Sequence, residues 1–486
     1  MERRSFLGGL ALASVRPTFA ASEDDTSRVY DVRRFGAVGD GRTDDTAAIR
    51  RALVELAKGG GVLTLSPGDY IVSGPLDLPD SPAWHIRGAG HTVTRLVARN
   101  EAGRDGVVRS IQTHRRAAFG CSIEDLTIDA AGSAGPAVHL ENLSLFAMRA
   151  VSIVHAPASG LKLVGLFDSY FEDIWLLNCG SASDPVVLCT SPESAGGDSM
   201  NNCVFVNLHT EGPADAVHVD IEGTPINRTD TLQFYALKCH GSYQTSMPAR
   251  PLLRVGRHAI GCSFIGGIMA WGKGFSQVEV DGSRNKFIGI DHGAGPPGGG
   301  PEFAYHFTAN ATANHVLTPN FKNGVGPTVY RSGYVRVEPG ASHTKLLFPQ
   351  MSTGPLPIDR VLSDEGVGTL FLGDDINDAG GFYIRHGQGF TVLRANGISA
   401  TATPAWNLRG TVTIAGGHDD AEVRFQTREA DAEYFVTCTV AGGRGSPSPG
   451  ARRLWISDKT PRGFRVHCEE APGGDNSVTI DWILVR

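Results

Sequence analysis

Short runs in which apolar and polar residues alternate recur through most of this chain. They read CSIEDLTID, FAMRAVSIV, SYFEDIWLL, NCVFVNLHT, LQFYALKCH, CSFIGGIMA and NKFIGI. Alternation at period two marks a strand that buries one face. The runs register on Ile123, Met148, Phe171, Phe205, Phe234, Phe264 and Phe287, at intervals of 23 to 34 residues. A repeat of that length predicts a solenoid in which each turn is one coil of short strands, inward residues stack coil on coil, and the longer intervals carry loop insertions. After most of these runs comes a second apolar segment, PAVHL, SGLKL, DPVVL, DAVHV or PLLRV, which supplies the next strand of its coil. The pattern fades in the turn-rich DHGAGPPGGGPEF, so the solenoid is expected to end near residue 330. Residues 331–405 read as a β-rich connecting module, and 406–486, with hairpin-like spacing, as a small β-sandwich-like domain.

One helical pattern stands before the repeats. In TAAIRRALVELAKGGG, Ile49, Ala52, Leu53 and Leu56 fall at helical spacing and Gly59 ends the run. Asp44 and Asp45 sit at its amino end, where carboxylates accept free backbone N–H groups and meet the positive end of the helix dipole. The stretch FGAVGDGRTDDTAAIRRA, followed by GVLTLSPGDYIV and IRGAG, resembles the amino-terminal signature of the pectate-lyase-like superfamily of right-handed parallel β-helices. That superfamily includes polygalacturonases, rhamnogalacturonases and phage tailspike depolymerases. The resemblance implies an all-β fold, a right-handed parallel β-helix over 28–330, whose first coil is covered by this helix. The carboxy-terminal segment resembles the small β-sandwich modules of phage tail fibres, closest at Asp481-Trp482-Ile483-Leu484.

Composition agrees with turn-rich β structure. Sixty-one Gly and 27 Pro are spread along the 486 residues, and the formal net charge of −7 offers no basic stripe for nucleic acid. Residues 1–21, with Arg3-Arg4, an apolar run from Phe6 to Val15 and Ala20-Ala21, read as a twin-arginine-like export signal, which predicts a periplasmic or extracellular protein. No stretch approaches the length of a membrane span. The eight cysteines lack paired metal-ligand spacing and read as small buried hydrophobes, so no metal site is expected.

A parallel β-helix presents a long face suited to an extended polymer, so a polysaccharide is the expected partner, with a side-by-side trimer as the assembly that tailspike-like members form. Glycosidic hydrolysis needs two carboxyl groups about 5 to 9.5 Å apart, and adjacent coils, about 4.8 Å apart, can supply them. In polygalacturonase-like enzymes the acids lie in or beside the strand after the repeat run. The corresponding positions here lead to Asp184 with Asp215, then Glu211, as catalytic candidates for a glycoside hydrolase. The Gly-Asp-Asp and Gly-His-Gly patterns of polygalacturonases are missing. Asp220 and Glu222, further along, are the other acids on offer, and Asp129, His155 and Lys238 are candidate substrate contacts. Trp271, Tyr243 and Trp175 are candidate sugar-stacking rings. Glu124-Asp125 and Glu172-Asp173 lie on alternating strands, so at most one of each pair is expected to face inward. The rival enzymatic chemistry is β-elimination on a uronate polymer, with Lys162, Lys238, Arg250 or Arg254 as base and Ca2+ as the neutralising ion. The third reading is a tail-fibre-like or adhesin-like protein that holds a glycan without cutting it.

Overall fold

The computed structural model describes residues 28–80, 83–99, 104–110, 119–194, 199–212, 215–241, 250–272, 274–293, 300–322, 330–348, 362–374, 381–386, 389–394, 397–399, 409–425, 431–444 and 453–485. The export signal expected at 1–21, and Tyr243, lie outside them. Among the described residues no helix is long and apolar enough to cross a membrane.

Parallel pairing of equivalent positions builds the body. Ile123 lies opposite Met148, Met148 opposite Phe171, and the series continues through Phe205, Phe234, Phe264 and Phe287, the residues on which the sequence repeats register. The second segments pair in the same way, Val138 with Leu161, then Val187, Val219 and Leu253. They belong to an 11-stranded sheet that runs beside a 23-stranded one. This is a parallel β-helix. The stacking passes the expected end near residue 330, because Val316 pairs with Leu346 and Leu346 with Phe371, and Val335–Val337 pairs with Leu362–Asp364. The repeat was hidden there because Val316 and Leu346 replace the phenylalanines. Antiparallel strands Gly381–His386, Gly389–Arg394 and Gly397–Ser399 then close the last coil's edge.

Inside, the registered positions form a column. Phe171, Phe205, Phe234, Phe264 and Phe287 stack with ring centroids 4.5 to 5.0 Å apart and planes within 10° of parallel. That spacing is the separation of paired strands, so one rotamer repeated on successive coils fills the interior without gaps. Several polar groups that enter the interior are paired, while His218 Nε2, Ser276 Oγ and Thr344 Oγ1 are buried without a hydrogen bond among the described residues. Asn314 Oδ1 accepts the Asn285 backbone N–H at 2.9 Å, while Asn285 Oδ1 accepts that of Cys262 at 2.9 Å. His292 joins Gln277 at 2.9 Å and Tyr305 at 2.8 Å. All eight cysteines are free; seven are buried and Cys438 is half-buried.

A second device breaks the strict alternation. Asp125, Ala150, Asp173, Asn207 and Ala236 all have φ between 50° and 60°, and stand one above another where each long strand turns a corner. A left-handed residue between two inward ones resets the phase, so Ile123 and Leu126 both face the core although they are three apart. Both members of Glu124-Asp125 and of Glu172-Asp173 consequently escape the core, one fewer inward acid than simple alternation allows.

The helix Thr46–Gly59 buries Ala48, Ile49, Ala52, Leu53 and Leu56. Ile49 and Leu53 close an apolar space at the end of the first coils together with Leu63, Leu76 and Leu96. Of the two aspartates at its start, Asp44 accepts the Thr46 N–H at 2.9 Å. Asp45 turns instead to the preceding loop and accepts the N–H groups of Val38 at 2.6 Å and Gly39 at 3.0 Å. The described residues within 409–485 form two three-stranded antiparallel sheets around a separate core that includes Ile414, Phe464, Val466, Ile480 and Trp482.

The phenylalanine column predicts a test. Phe234→Ala removes a ring stacked on both sides and should lower the stability of the body by about 3–5 kcal/mol, read as a shift in the denaturant midpoint. Loss below about 1 kcal/mol would mean that the column does not hold the coils in register.

Candidate active site

The corner residues place the second half of each long strand on a separate outward face. Four residues after each registered position, the outward side chains are Trp175, His209 and Lys238 on successive coils. Two residues further along come Leu177, Glu211 and His240. Phe205 and Phe234 lock the two strands in phase from inside, so the outward residues of HTE and KCH must meet.

They meet as one cluster. The Trp175 and His209 rings are parallel, 5.4 Å apart at 8°. Glu211 lies between two imidazoles, with His209 Nε2 3.9 Å from Oε2 and His240 Nδ1 4.0 Å from Oε1. These separations are longer than hydrogen bonds, so the carboxylate attracts both rings without being tied to either. His240 also packs against Trp271 at 4.9 Å. Trp175 is exposed, and the side chains of Glu211 and His240 are partly so. Burial, then the Lys238 charge, pushes His209 down to about 4, and burial lowers His240 as well despite the pull of Glu211. Both imidazoles are therefore neutral at neutral pH and able to accept protons, beside one ammonium and one carboxylate.

The predicted residues divide among several places. Glu211, Lys238 and Trp271 join this cluster. Asp184 lies in a tight turn, its Oδ2 accepting the hydroxyls of Ser181 and Ser183 at 2.7 Å each. Asp215 is exposed at the start of the next coil's turn. Val187 pairs with Val219, which sets Asp184 opposite Ala216, one residue out of step with the expected match to Asp215. The offset between the two coils falls from 34 at Leu177 and Glu211 to 32 at Val187 and Val219, and alternation gives no register across the connection in which it changes. Asp129 is bound by Arg95 at 2.7 Å and by His155 at 3.2 Å, on the same face but nearer the capping helix. Arg254 is held by Asp220 at 2.8 Å on the other sheet, which raises its pKa further and unsuits it as a base. Glu222 accepts the Gly223 and His258 backbone N–H groups. Lys162 lies on that other sheet, paired in register with His139 and Leu188, and Arg250 is exposed.

Sequence reasoning passed over His209 and His240. Their signal was present: both stand at fixed offsets, four and six, from registered phenylalanines. Among the described residues no three or more His, Cys, Asp or Glu side chains converge as a metal site.

The interior histidines share the low basicity of His209. Burial brings His218 down to about 4 and His292 to about 3. The unfolded chain binds protons to these rings near their ordinary value of 6.5, and the folded chain does not. Folding stability should therefore be fully present above about pH 6.5 and fall as pH drops toward 4, measured as a decreasing urea midpoint between pH 7 and pH 5. A midpoint that stays flat across that window would contradict the neutral assignment.

Comparison with known proteins places this architecture. Residues 29–145 match the family model of rhamnogalacturonase A/epimerase, pectate lyase-like. The mannuronan C5-epimerase AlgE2 of Azotobacter vinelandii is 44% identical over 108 residues, 21% of this chain and 11% of that protein. Alginate lyase 7 of the same organism is 41% identical over 108 residues, 21% of this chain and 12% of that protein. The chain thus spans about a tenth of the length of these relatives. Among solved structures, the surface adhesin PfbA of Streptococcus pneumoniae superposes with a TM-score of 0.54 at 10% identity, covering 76% of this chain and 99% of that one. With its coil register, its capping helix and the matched amino-terminal signature, the chain has the parallel β-helix fold, and its first coils are similar to those of the rhamnogalacturonase A/epimerase, pectate lyase-like family.

Proposed function

We propose that this protein is a carbohydrate-active enzyme that removes the C5 proton of a uronate residue in an extracellular polysaccharide, as a lyase or an epimerase. The observation that carries the proposal is the composition of the cluster: one cation, one carboxylate and two neutral imidazoles between two tryptophans. A C5 proton becomes acidic only when the neighbouring carboxylate is neutralised. Lys238 supplies that charge. His240, neutral and partly exposed, is placed to take the proton, and Glu211 beside it stabilises the imidazolium that forms. His209, stacked on Trp175, flanks the other side of Glu211 at 3.9 Å. Trp175 and Trp271 offer ring faces for sugars bound across successive coils.

The similarity to a mannuronan C5-epimerase and an alginate lyase over 108 residues supports this reading, and the family model's match, residues 29–145, ends before the cluster. Hydrolysis draws less support. It needs a pair of carboxylates, and among the described residues Glu211 is the one carboxylate that touches these imidazoles.

The test is to incubate the purified protein with alginate, polymannuronate, polygalacturonate and neutral polysaccharides. Ultraviolet absorbance of unsaturated uronates, NMR of C5 configuration and reducing ends are followed together. Unsaturated products or C5 inversion are expected. Reducing ends without either would make the protein a hydrolase, and no change with any polymer would make it a binding protein. Given activity, Lys238→Ala and His240→Asn should each lower kcat/KM by about 10²- to 10⁴-fold, with an unchanged unfolding midpoint. The acid limb of kcat/KM should fall below the ordinary histidine value of 6.5, because burial lowers His240.

A further inference from the structure

The carboxy-terminal module carries a second face of similar chemistry, which the proposed reaction does not use. In its sheet of strands Asp420–Arg424, Leu454–Thr460 and Gly463–Cys468, the pairing Trp455 to His467 to Asp420 sets three side chains in one outward row. The pairing Ser457 to Arg465 to Glu422 sets three more beside them. Trp455 is 46% exposed, yet its ring is fixed, lying parallel to His467 at 5.2 Å and 5°. His467 is fixed in turn by a 2.7 Å hydrogen bond between its Nε2 and Ser457 Oγ. Arg465 is held by Asp420 and lies 4.0 Å from Asp458.

A tryptophan needed only for packing would be buried with its N–H satisfied. Trp455 instead shows a ring to solvent on the edge strand of its sheet, buttressed by a partner that prevents rotation. The groups around it are those that read sugar hydroxyls: a guanidinium and a carboxylate locked to each other, a hydroxyl and an imidazole. The two guanidiniums of strands Asp420–Arg424 and Gly463–Cys468 are already matched, Arg465 by Asp420 and Arg424 by Glu422 at 3.1 Å, so this part of the face has little charge with which to draw an anionic sugar.

We propose that the Trp455–His467 face is a non-catalytic binding site for an uncharged pyranose ring, which stacks on the indole while the Arg465–Asp420 pair reads vicinal hydroxyls. The site would tether the enzyme to a neutral glycan next to the polymer on which the β-helix acts.

Affinity electrophoresis of the full-length protein in native gels containing hydroxyethylcellulose, galactomannan or alginate tests it. At least one neutral polymer should retard the protein. Trp455→Ala should weaken that retardation about five- to tenfold, the effect of one lost ring face, whereas Trp455→Phe should keep most of it. Since Trp455 is nearly half exposed and lies outside the module's core, the unfolding midpoint of Trp455→Ala should stay close to the wild type. Three outcomes would overturn the proposal: no retardation by either neutral polymer, retardation unchanged in Trp455→Ala, or Trp455-dependent retardation confined to alginate. Each can be told from failure of the uronate reading, which is scored by product formation.

Discussion

In-register stacking of one coil on the next is the constraint on which everything else here rests. Parallel strands lie about 4.8 Å apart, and the phenylalanine rings of successive coils sit 4.5 to 5.0 Å apart, so backbone pairing and side-chain packing ask for the same spacing. A slip of one residue would move a ring out of the column and put a polar neighbour inside. The ends carry the remaining obligation. A stack of coils leaves an open core and unpaired edges at both termini, and here a helix closes one while antiparallel strands cover the other.

The left-handed corners turn that inner order into an outer one. Each corner residue resets the alternation, so positions at a fixed offset from the column face outward together on every coil. His209 and Lys238 are 29 residues apart in the chain and direct neighbours in the sheet. A carboxylate can therefore be set between two imidazoles without hydrogen-bonding either, because the rise along one strand separates it from His209 and the coil spacing separates it from His240. Preorganisation of this kind costs no reorganisation when a proton moves.

Much of the fold was legible in the sequence because one signal repeats. Seven registered residues and five second strands fall where the spacing puts them, and the helix buries the four residues that its period singles out. The extent of the solenoid was not legible, since Val316 and Leu346 carry the column on without an aromatic marker. The site was half legible. Glu211 and Lys238 drew notice for their chemistry, but their neighbours His209 and His240 emerge only when two strands are aligned on their inward residues. Asp184 and Asp215 illustrate the converse: loops lack periodicity, so an alignment carried through one of them slips by a residue.

The corner ladder also makes the surface behave as a grid with two independent coordinates. The offset from the registered residue chooses the row, and the coil number chooses the place along the axis. A substitution at one grid point can leave the columns on either side untouched, and gain or loss of a whole coil would lengthen or shorten the face without rotating any row away from it. A change of one residue within a strand has no such freedom, because it moves along both coordinates at once. Variation in such a molecule is therefore expected to come in two sizes, single outward side chains and entire turns, with little between them.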